Sequence, residues 1–354
     1  MRVVVTGGAG FVGSHVVDLL VDRGHDVVVI DSLSPSAHDT RPDYLNDSAR
    51  YHWADLSESH ELHDLFDGAD GVCHQASRVG LGDDFSDVDL YARDNDLATA
   101  RMLRALHDTG FRGRFVLASS MVVYGEGCYA CSDHGVMRAP PRATAALERG
   151  CFDPCCPDCG AVLEPLPVPE DGPLDPRSVY AATKVHQEHL CTAYALEHGV
   201  TVATLRYHNV YGPRMPRDTP YAGVASIFRS ALESGKAPEV FEDGRQLRDF
   251  VHVDDVARAN ALALEREVPY AGPLNIASGT PRSVGELAEA LCRAHTRASL
   301  TPRITGRYRA GDVRHVFASA TLARDRLGFV ASADFDTAIA EFAHAPLRSR
   351  RAAT

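Results

Sequence analysis

The stretch VVVTGGAGFVGSH at residues 3–15 decides the fold. Arg2 to Thr6 is a short, mostly apolar run that predicts a strand, and Phe11 to Arg23 carries Val12, Val16, Leu19 and Leu20 at helical spacing. Between them lie Gly7, Gly10 and Gly13, which let the chain turn tightly and bring bare backbone N–H groups, at a helix N-terminus, against a pyrophosphate. A side chain at any of these glycines would block that approach. A glycine pattern alone is a weak signal, and the bland alternative is a turn that binds nothing. Here a second strand, Asp26 to Ile30, follows the helix and ends in Asp31. A carboxylate there accepts hydrogen bonds from both adenosine ribose hydroxyls and repels a 2′-phosphate, so NAD is expected rather than NADP.

Working outward, strand candidates at 2–6, 26–31, 71–75 and 114–118 alternate with helices near 11–23, 58–66 and 91–108. That rhythm predicts an α/β fold, a doubly wound parallel sheet of the Rossmann type. It stops at Gly125. Residues 126–175 are rich in Pro, Gly and Cys, with one short candidate helix at 142–149, and read as an insertion at the surface. Regularity resumes with a helix from Tyr180 to His198 and a strand from Val200 to Arg206. The expected organisation is a dinucleotide-binding domain over 1–206 interrupted by the 126–175 insertion, then a smaller mixed lobe over 207–347. Some segments of that lobe are expected to return to the sheet, and 348–354 to form a frayed tail.

The chain has 354 residues, 45% hydrophobic and 24% charged, with a formal net charge of −12. That balance argues against a nucleic-acid partner, which calls for a basic face. The apolar runs have strand length and the N-terminus enters the first strand at once, so no membrane span or signal peptide is expected, and a soluble cytoplasmic enzyme is. Of nine cysteines, Cys73, Cys191 and Cys292 stand singly in apolar surroundings and read as small buried hydrophobes. The other six fall between Cys128 and Cys159. Cys131-Ser-Asp-His134-Gly135 and Cys156-Pro-Asp-Cys159-Gly160 each have the form ligand, two residues, ligand, glycine. Two such knuckles enclose a tetrahedral Zn²⁺, with Cys131, His134, Cys156 and Cys159 as ligands. Cys128 competes with His134, because Cys128-x-x-Cys131 also fits, and disulfides or reduced surface thiols are the bland alternatives. Four protein ligands make a closed, structural zinc site that supports a zinc-ribbon-like loop too polar to fold alone. A ribbon that binds nucleic acid is disfavoured by its acids and by having only Arg138, Arg142, Arg149 and Arg177 nearby.

Tyr180 and Lys184 stand four apart, on one face of the predicted helix. An ammonium there, beside an oxidised nicotinamide, favours phenolate and is expected to draw the phenol down from about 10 towards neutrality. Such a tyrosine takes a proton from a sugar hydroxyl as hydride leaves the same carbon. A hydroxyl after a strand completes the set, and Ser119-Ser120 follow the strand Phe115–Ala118. The alternative for Tyr-x-x-x-Lys alone is an ordinary helix surface.

At this point the chain resembles the extended short-chain dehydrogenase/reductase family that acts on nucleotide sugars. The matching stretches are TGGAGFVGSH at 6–15, ASSMVVYG at 118–125, YAATK at 180–184, RYHNVYGPR at 206–214, EDGRQLRDFVHVDDVA at 242–257, LNIASG at 274–279 and GDVRHVFA at 311–318. The resemblance implies a catalytic set of Ser120, Tyr180 and Lys184. It puts Asp55 and Leu56 near the adenine, Ala76 and Ser77 behind the pyrophosphate, and Asn95 in a supporting role. Phe11, Val12, Ser32 and Tyr207 complete the implied cofactor contacts. Asn209 and Arg248 match positions that hold the diphosphate of a nucleotide sugar, Arg314 suits the same task as a two-pronged cation, and Asp312 would meet the ribose hydroxyls. Surface or internal ion pairs are the alternative for Arg248 and Arg314.

Family members share oxidation at C4 of the sugar and differ afterwards. Dehydratases resemble Asp-Glu in the two places before Val-Tyr-Gly, and UDP-glucuronate decarboxylases have a glutamate just before that valine. Here Met121 and Val122 precede Val123-Tyr124-Gly125, and neither moves a proton. Re-reduction then remains, the chemistry of a 4-epimerase with tightly bound NAD and an apolar pocket of Met121, Val122 and Val79. A 4-keto-sugar reductase is the runner-up, and a non-catalytic nucleotide-sugar-binding protein stands behind it. ASRVGLGDDFSDVDLYARDN at 76–95, YGEGCYACSDHG at 124–135 and PYAGVASIFRSAL at 220–232 are similar to the cysteine-bearing subgroup that includes dTDP-L-rhamnose 4-epimerases. Gly82-Asp83-Asp84 departs from that subgroup's Gly-Gln-Ser, so the sugar is left open, as is the nucleotide, whether UDP-, dTDP- or GDP-linked. The resemblance also implies a homodimer through helices near 91–108 and 180–198, covering Leu103, Leu106, Val185 and Leu190.

Overall fold

The computed structural model describes residues 1–80, 85–217, 223–295, 300–309 and 311–348. Gly82-Asp83-Asp84 and the start of the 220–232 stretch lie outside the described residues. Seven strands form the main sheet: β1 (Arg2–Thr6), β2 (Asp26–Asp31), β3 (Arg50–Trp53), β4 (Gly71–His74), β5 (Arg114–Ser120), β6 (Thr201–Tyr207) and β7 (Gly272–Ile276). They lie in the order β7-β6-β5-β4-β1-β2-β3 and every neighbouring pair is parallel. Parallel strands are covered on both faces, which is why β1 carries three consecutive valines, all fully buried. Val3 and Val5 join a core with helices Phe11–Asp22 and Val253–Glu265, while Val4 faces helices Ala98–Asp108 and Val179–His198.

Thr6 pairs with Ile30 of β2 on one side and His74 of β4 on the other, so the ends of the central strands are level. The chain runs outward from β1 in one direction and returns to run outward from β4 in the other. The crevice between β1 and β4 is therefore the place where ligands bind such sheets. The turn that fills it is compact. Gly7 is left-handed at φ 68°, and a Cβ on Gly13 would stand 2.1 Å from the Gly7 carbonyl oxygen.

After β6 the chain divides. Helix Val253–Glu265 and β7 belong to the main sheet, whereas helices Val224–Glu233, Val284–Ala294 and Phe335–His344 share a separate core. Beside them Asn209–Tyr211 pairs in parallel with Leu247–His252, and Pro281–Ser283 pairs antiparallel. Arg348, expected to open a frayed tail, is instead bonded: its N–H donates to Met215 O at 3.0 Å and its carbonyl accepts from Arg217 at 2.9 Å. In the insertion, Cys128–Cys131, Gly135–Arg138 and Glu164–Leu166 form a three-stranded antiparallel sheet. Its own core is only Tyr129, Cys131, Ala139, Cys156 and Leu163.

Cys73, Cys191 and Cys292 are buried as expected. Leu103 and Leu106 need no partner subunit, because both are already buried inside the single chain against the sheet. No helix among the described residues is long and apolar enough to cross a membrane.

Gly13→Ala puts a methyl carbon onto the Gly7 carbonyl, and the forced shift is expected to cost about 1–3 kcal/mol. A urea titration checks this, and an unchanged midpoint would contradict the close approach.

Candidate active site

A cavity of about 970 Å³ opens over the C-terminal ends of β1, β2, β4, β5 and β6. At one end its wall is the glycine turn, with Gly7, Gly10, Phe11, Val12 and Gly13. Helix Phe11–Asp22 starts after Gly10 with no side chain capping it, which leaves its first N–H groups to a ligand. Asp31, Ser32, Asp55 and Leu56 line the far side, and Ala76 and Ser77 the floor. The Asp31 carboxylate is fixed by the N–H groups of Ala9 (3.0 Å) and Leu33 (2.8 Å).

At the other end stand Ser120, Met121, Val122, Tyr180, Lys184, Tyr207 and Asn209. Ser178 caps helix Val179–His198 by accepting from Ala181 N–H at 3.1 Å, which sets Tyr180 and Lys184 one turn apart. Ser120 ends β5, beside β6, so the hydroxyl comes from the sheet and the phenol from the helix packed on it.

Burial within the protein shifts both groups towards their uncharged forms. The Tyr180 phenol is pushed up to about 12 by desolvation, with a Ser120 hydrogen bond working against the shift. Lys184 is drawn down to about 8 by burial, opposed by Glu188, Cys191 and Asp96. Its Nζ donates to Ala118 O at 2.9 Å and lies 5.9 Å from the Tyr180 ring centre. Among the protein's own groups the desolvation penalty on a phenolate exceeds what the Ser120 hydrogen bond returns, and the expected fall towards neutrality calls in addition on the charge of an oxidised nicotinamide.

Asn95 does not line the cavity. It sits fully buried on a π-helical turn, Ala92–Leu97, where Oδ1 accepts from Ser77 Oγ and Arg78 N–H and Nδ2 donates to Thr183 Oγ1 at 2.9 Å. It braces the cavity floor against the helix that carries Tyr180. At the end of the cavity that holds Ser120 and Tyr180, Asn209 Oδ1 is buried without a partner among the described residues, an acceptor left for a bound molecule. Uncapped N–H groups, a fixed carboxylate and this open acceptor together suit a dinucleotide lying along the cavity.

The sequence matches the family described as NAD dependent epimerase/dehydratase over residues 3–143 and 160–277. The chain belongs to that family. It is 33% identical over 319 residues to the dTDP-L-rhamnose 4-epimerase of Burkholderia thailandensis, covering 89% of this chain and 86% of the relative. Its fold superposes with a TM-score of 0.78, at 28% identity, on the UDP-N-acetylglucosamine 4-epimerase of Methanobrevibacter ruminantium bound to UDP-N-acetylmuramic acid, covering 97% and 96% of the two chains. The Thermus thermophilus UDP-glucose 4-epimerase in complex with NAD gives 0.76 at 27% identity, covering 97% and 98%.

Arg248, Asp312 and Arg314 do not reach the cavity wall of this epimerase/dehydratase-family protein. Arg314 is fully buried and its guanidinium meets Asp153 (2.8 Å), Glu242 (2.8 Å) and Asp243 (2.7 Å), so it holds the insertion to the C-terminal lobe. Arg248 donates to the carbonyls of Leu247, Val313 and Arg314, each at 2.8 Å. The Asp312 carboxyl is pushed up by burial, and its carbonyl accepts from Arg142 at 2.6 Å. Arg314, offered for the diphosphate, has its guanidinium engaged by three carboxylates, Arg248 has Nη1 and Nη2 on backbone carbonyls, and Asp312, offered for the ribose hydroxyls, does not line the cavity. Ser34, Ser36, His38, Arg309 and Arg348 line the cavity and carried no motif signal.

In the insertion, the ligand atoms of Cys131, His134, Cys156 and Cys159 all lie within 4.8 Å of one another. Cys131 Sγ is 3.6 Å from Cys159 Sγ and 3.5 Å from His134 Nδ1, and Cys156 Sγ is 3.4 Å from the same nitrogen. A tetrahedron with arms of about 2.3 Å has edges of about 3.7 Å, so this spacing suits one metal ion. Cys128 is outside the group and packs near Val123 and Val168.

Arg314→Met breaks buried Glu242's pairing with Arg314 and should cost about 3 kcal/mol, the low end for a broken buried pair, because Glu242 keeps Arg142 and because Asp153 and Asp243 keep 44% and 33% exposure. Burial alone would raise Asp153 and Asp243, yet Arg314 holds both below the ordinary carboxylate range. Their contribution is present above that range and lost as pH falls through the lowered values. Denaturant titrations should thus show a wide gap between wild type and variant at neutral pH that narrows below about pH 4. A constant gap would refute the assignment.

Proposed function

We propose that this protein is a nucleotide-sugar 4-epimerase that works with NAD. One observation carries the reading: Ser120 and Tyr180 share a cavity with an uncapped glycine turn, and the neighbouring wall residues are Met121 and Val122. Elimination of water needs an acid and a base beside the sugar, and decarboxylation needs a polar group there. Met121 and Val122 provide neither.

The glycine turn and Asp31 hold the cofactor, with Lys184 and Tyr207 towards its reactive end. When bound, NAD takes hydride from the sugar carbon and returns it, and its positive ring favours the phenolate that burial disfavours. The Tyr180 phenolate oxygen accepts the proton of the sugar 4-hydroxyl, and Ser120 keeps that oxygen within reach. Lys184 fixes the Ala118 carbonyl and adds positive potential behind the phenol. The apolar side chains of Met121 and Val122 leave the keto sugar free to turn and present the opposite face of C4 for the returning hydride, and Tyr180 gives its proton back to the 4-oxygen. A UDP-, dTDP- or GDP-linked sugar is the substrate class.

Zn²⁺ is the ion we assign to Cys131, His134, Cys156 and Cys159, in a structural role. The residues fit, because three thiols and an imidazole are a soft, tetrahedral donor set. Nine unbridged cysteines favour a cytoplasmic setting. A homodimer is proposed through the outer helices, where Leu97 and Leu196 are exposed.

Incubation with UDP-, dTDP- and GDP-hexoses followed by NMR should show inversion at C4 without added cofactor, and loss of water or carbon dioxide would overturn the reading. Tyr180→Phe should lower kcat by about 10²–10⁴ while the bound NAD content stays that of wild type. Elemental analysis should find one zinc per chain, lost in Cys156→Ser and kept in Cys128→Ser. A variant pair with equal zinc content would exclude the proposed ligand set.

A further inference from the structure

Arg348 comes from the C-terminal segment, far in sequence from every cofactor motif, yet it lines the cavity. Its backbone is clamped to the segment 215–217 by the two hydrogen bonds to Met215 and Arg217, and Met215 and Pro216 line the cavity as well. The side chain reaches back over the glycine turn. Its Nη1 stands 4.0 Å from where a Gly10 Cβ would be. It also lies against Tyr44, whose hydroxyl donates to the Ala9 carbonyl of the same turn at 2.9 Å.

Beyond its hydrogen-bonding contact with the Tyr44 side chain, the guanidinium is short of partners: Nε and Nη1 are both buried and are left without a hydrogen-bond partner among the described residues. No carboxylate among the described residues forms an ion pair with it, and the Asp31 oxygens nearby are engaged by the Ala9 and Leu33 N–H groups. Buried N–H donors left unbonded call for an acceptor from elsewhere, and a cationic group favours an anionic one. The glycine turn it overhangs presents uncapped helix N–H groups, which select phosphate oxygens. Both features therefore point at the same ligand group from opposite sides.

We propose that Arg348 grips the pyrophosphate of the dinucleotide, so that the C-terminal segment is a strap closing the cofactor into its crevice. The proposal rests on the NAD reading given above. A guanidinium offers two parallel N–H donors to phosphate oxygens, which a lysine cannot match. Because the strap is anchored on the C-terminal lobe, cofactor release requires that anchorage to open. Retention throughout a turnover, needed when the same nicotinamide must return the hydride it took, then has a physical basis outside the glycine motif.

The test uses calorimetric titration of cofactor-depleted full-length protein with NAD, ADP and adenosine. Arg348→Ala should weaken NAD and ADP by roughly 10- to 100-fold, the worth of a charge-assisted bond, and leave adenosine unchanged. Arg348→Lys should fall between wild type and alanine. Equal NAD and ADP affinity in wild type and Arg348→Ala would overturn the proposal, as would an equal loss for adenosine. If Arg348→Ala melts early without ligand, the lysine variant decides, since it keeps the backbone bonds and the charge. Wild type that binds ADP but not NAD would sink the cofactor reading while the ADP arm still judges the phosphate grip.

Discussion

The close approach of Gly13 to the Gly7 carbonyl, with Gly7 itself against the Ala76 backbone, is the constraint on which the rest of the site depends. It brings the start of helix Phe11–Asp22 down onto the end of β1. Any side chain there pushes the helix away from β1, and the uncapped N–H groups move with it. The level register of β1 with β4 then places Ala76 and Ser77 directly across the turn. β5 and β6 follow in step, and Ser120 and Tyr207 end beside each other on the same rim. The cofactor end and the sugar end of the cavity are thus two consequences of one parallel register.

Behind the catalytic end lies a second arrangement that keeps it in place. Glu188, on the helix of Tyr180 and Lys184, accepts from Arg206 Nε at 3.0 Å and Nη2 at 2.8 Å, and also from Ser119 Oγ. Arg206, on β6, donates further to the Tyr124 hydroxyl at 2.9 Å. A buried pair is weak support for stability unless its remaining hydrogen-bonding capacity is met. Here it is met by Ser119 at the end of β5 and by Tyr124 just after it, so the pair ties the helix, both strands and the turn after β5 into one unit. The Tyr180 phenol and Lys184 ammonium sit in front of it, both shifted towards their less charged forms by burial.

Much of this was legible before any coordinates. The strand–glycine–helix run, Asp31, Ser120 and the Tyr180–Lys184 spacing are local signals, and local signals survive without tertiary knowledge. The knuckle spacing of the insertion was local too, and the competition between Cys128 and His134 is resolved in geometry by where β-strand Cys128–Cys131 points its side chains. β3 went unread because Arg50–Trp53 is a short edge strand with no buried residue, and it lacks the apolar run that marked its neighbours. Arg314 was misassigned because its carboxylate partners lie 161, 72 and 71 residues away. A motif shows that a cation is present, not whether distant acids have already claimed it. Arg348 failed for the opposite reason: it stands in a segment with no motif, and its meaning comes only from what it overhangs.

The insertion follows from the same long-range bonds. One end of it is the four-residue donor cluster and the other is a set of polar contacts to the C-terminal lobe. Arg142 bonds Glu242 at 2.8 Å and Asp153 bonds Arg314 and His315, while Val168 pairs with Phe317 in the backbone. Glu126, at the root of the insertion, accepts from the N–H of Arg314 at 2.8 Å and from the Tyr129 hydroxyl at 2.7 Å. Five buried residues are too small a core to hold these groups steady against the entropy of a loop of about fifty residues. A metal ion held at the knuckles would restrict that loop at the point where its strands diverge. Its order would pass through Asp153 and Arg142 to Glu242 and the segment 312–315 of the C-terminal lobe. The cysteines are in this way connected by polar contacts to a lobe remote from them in sequence.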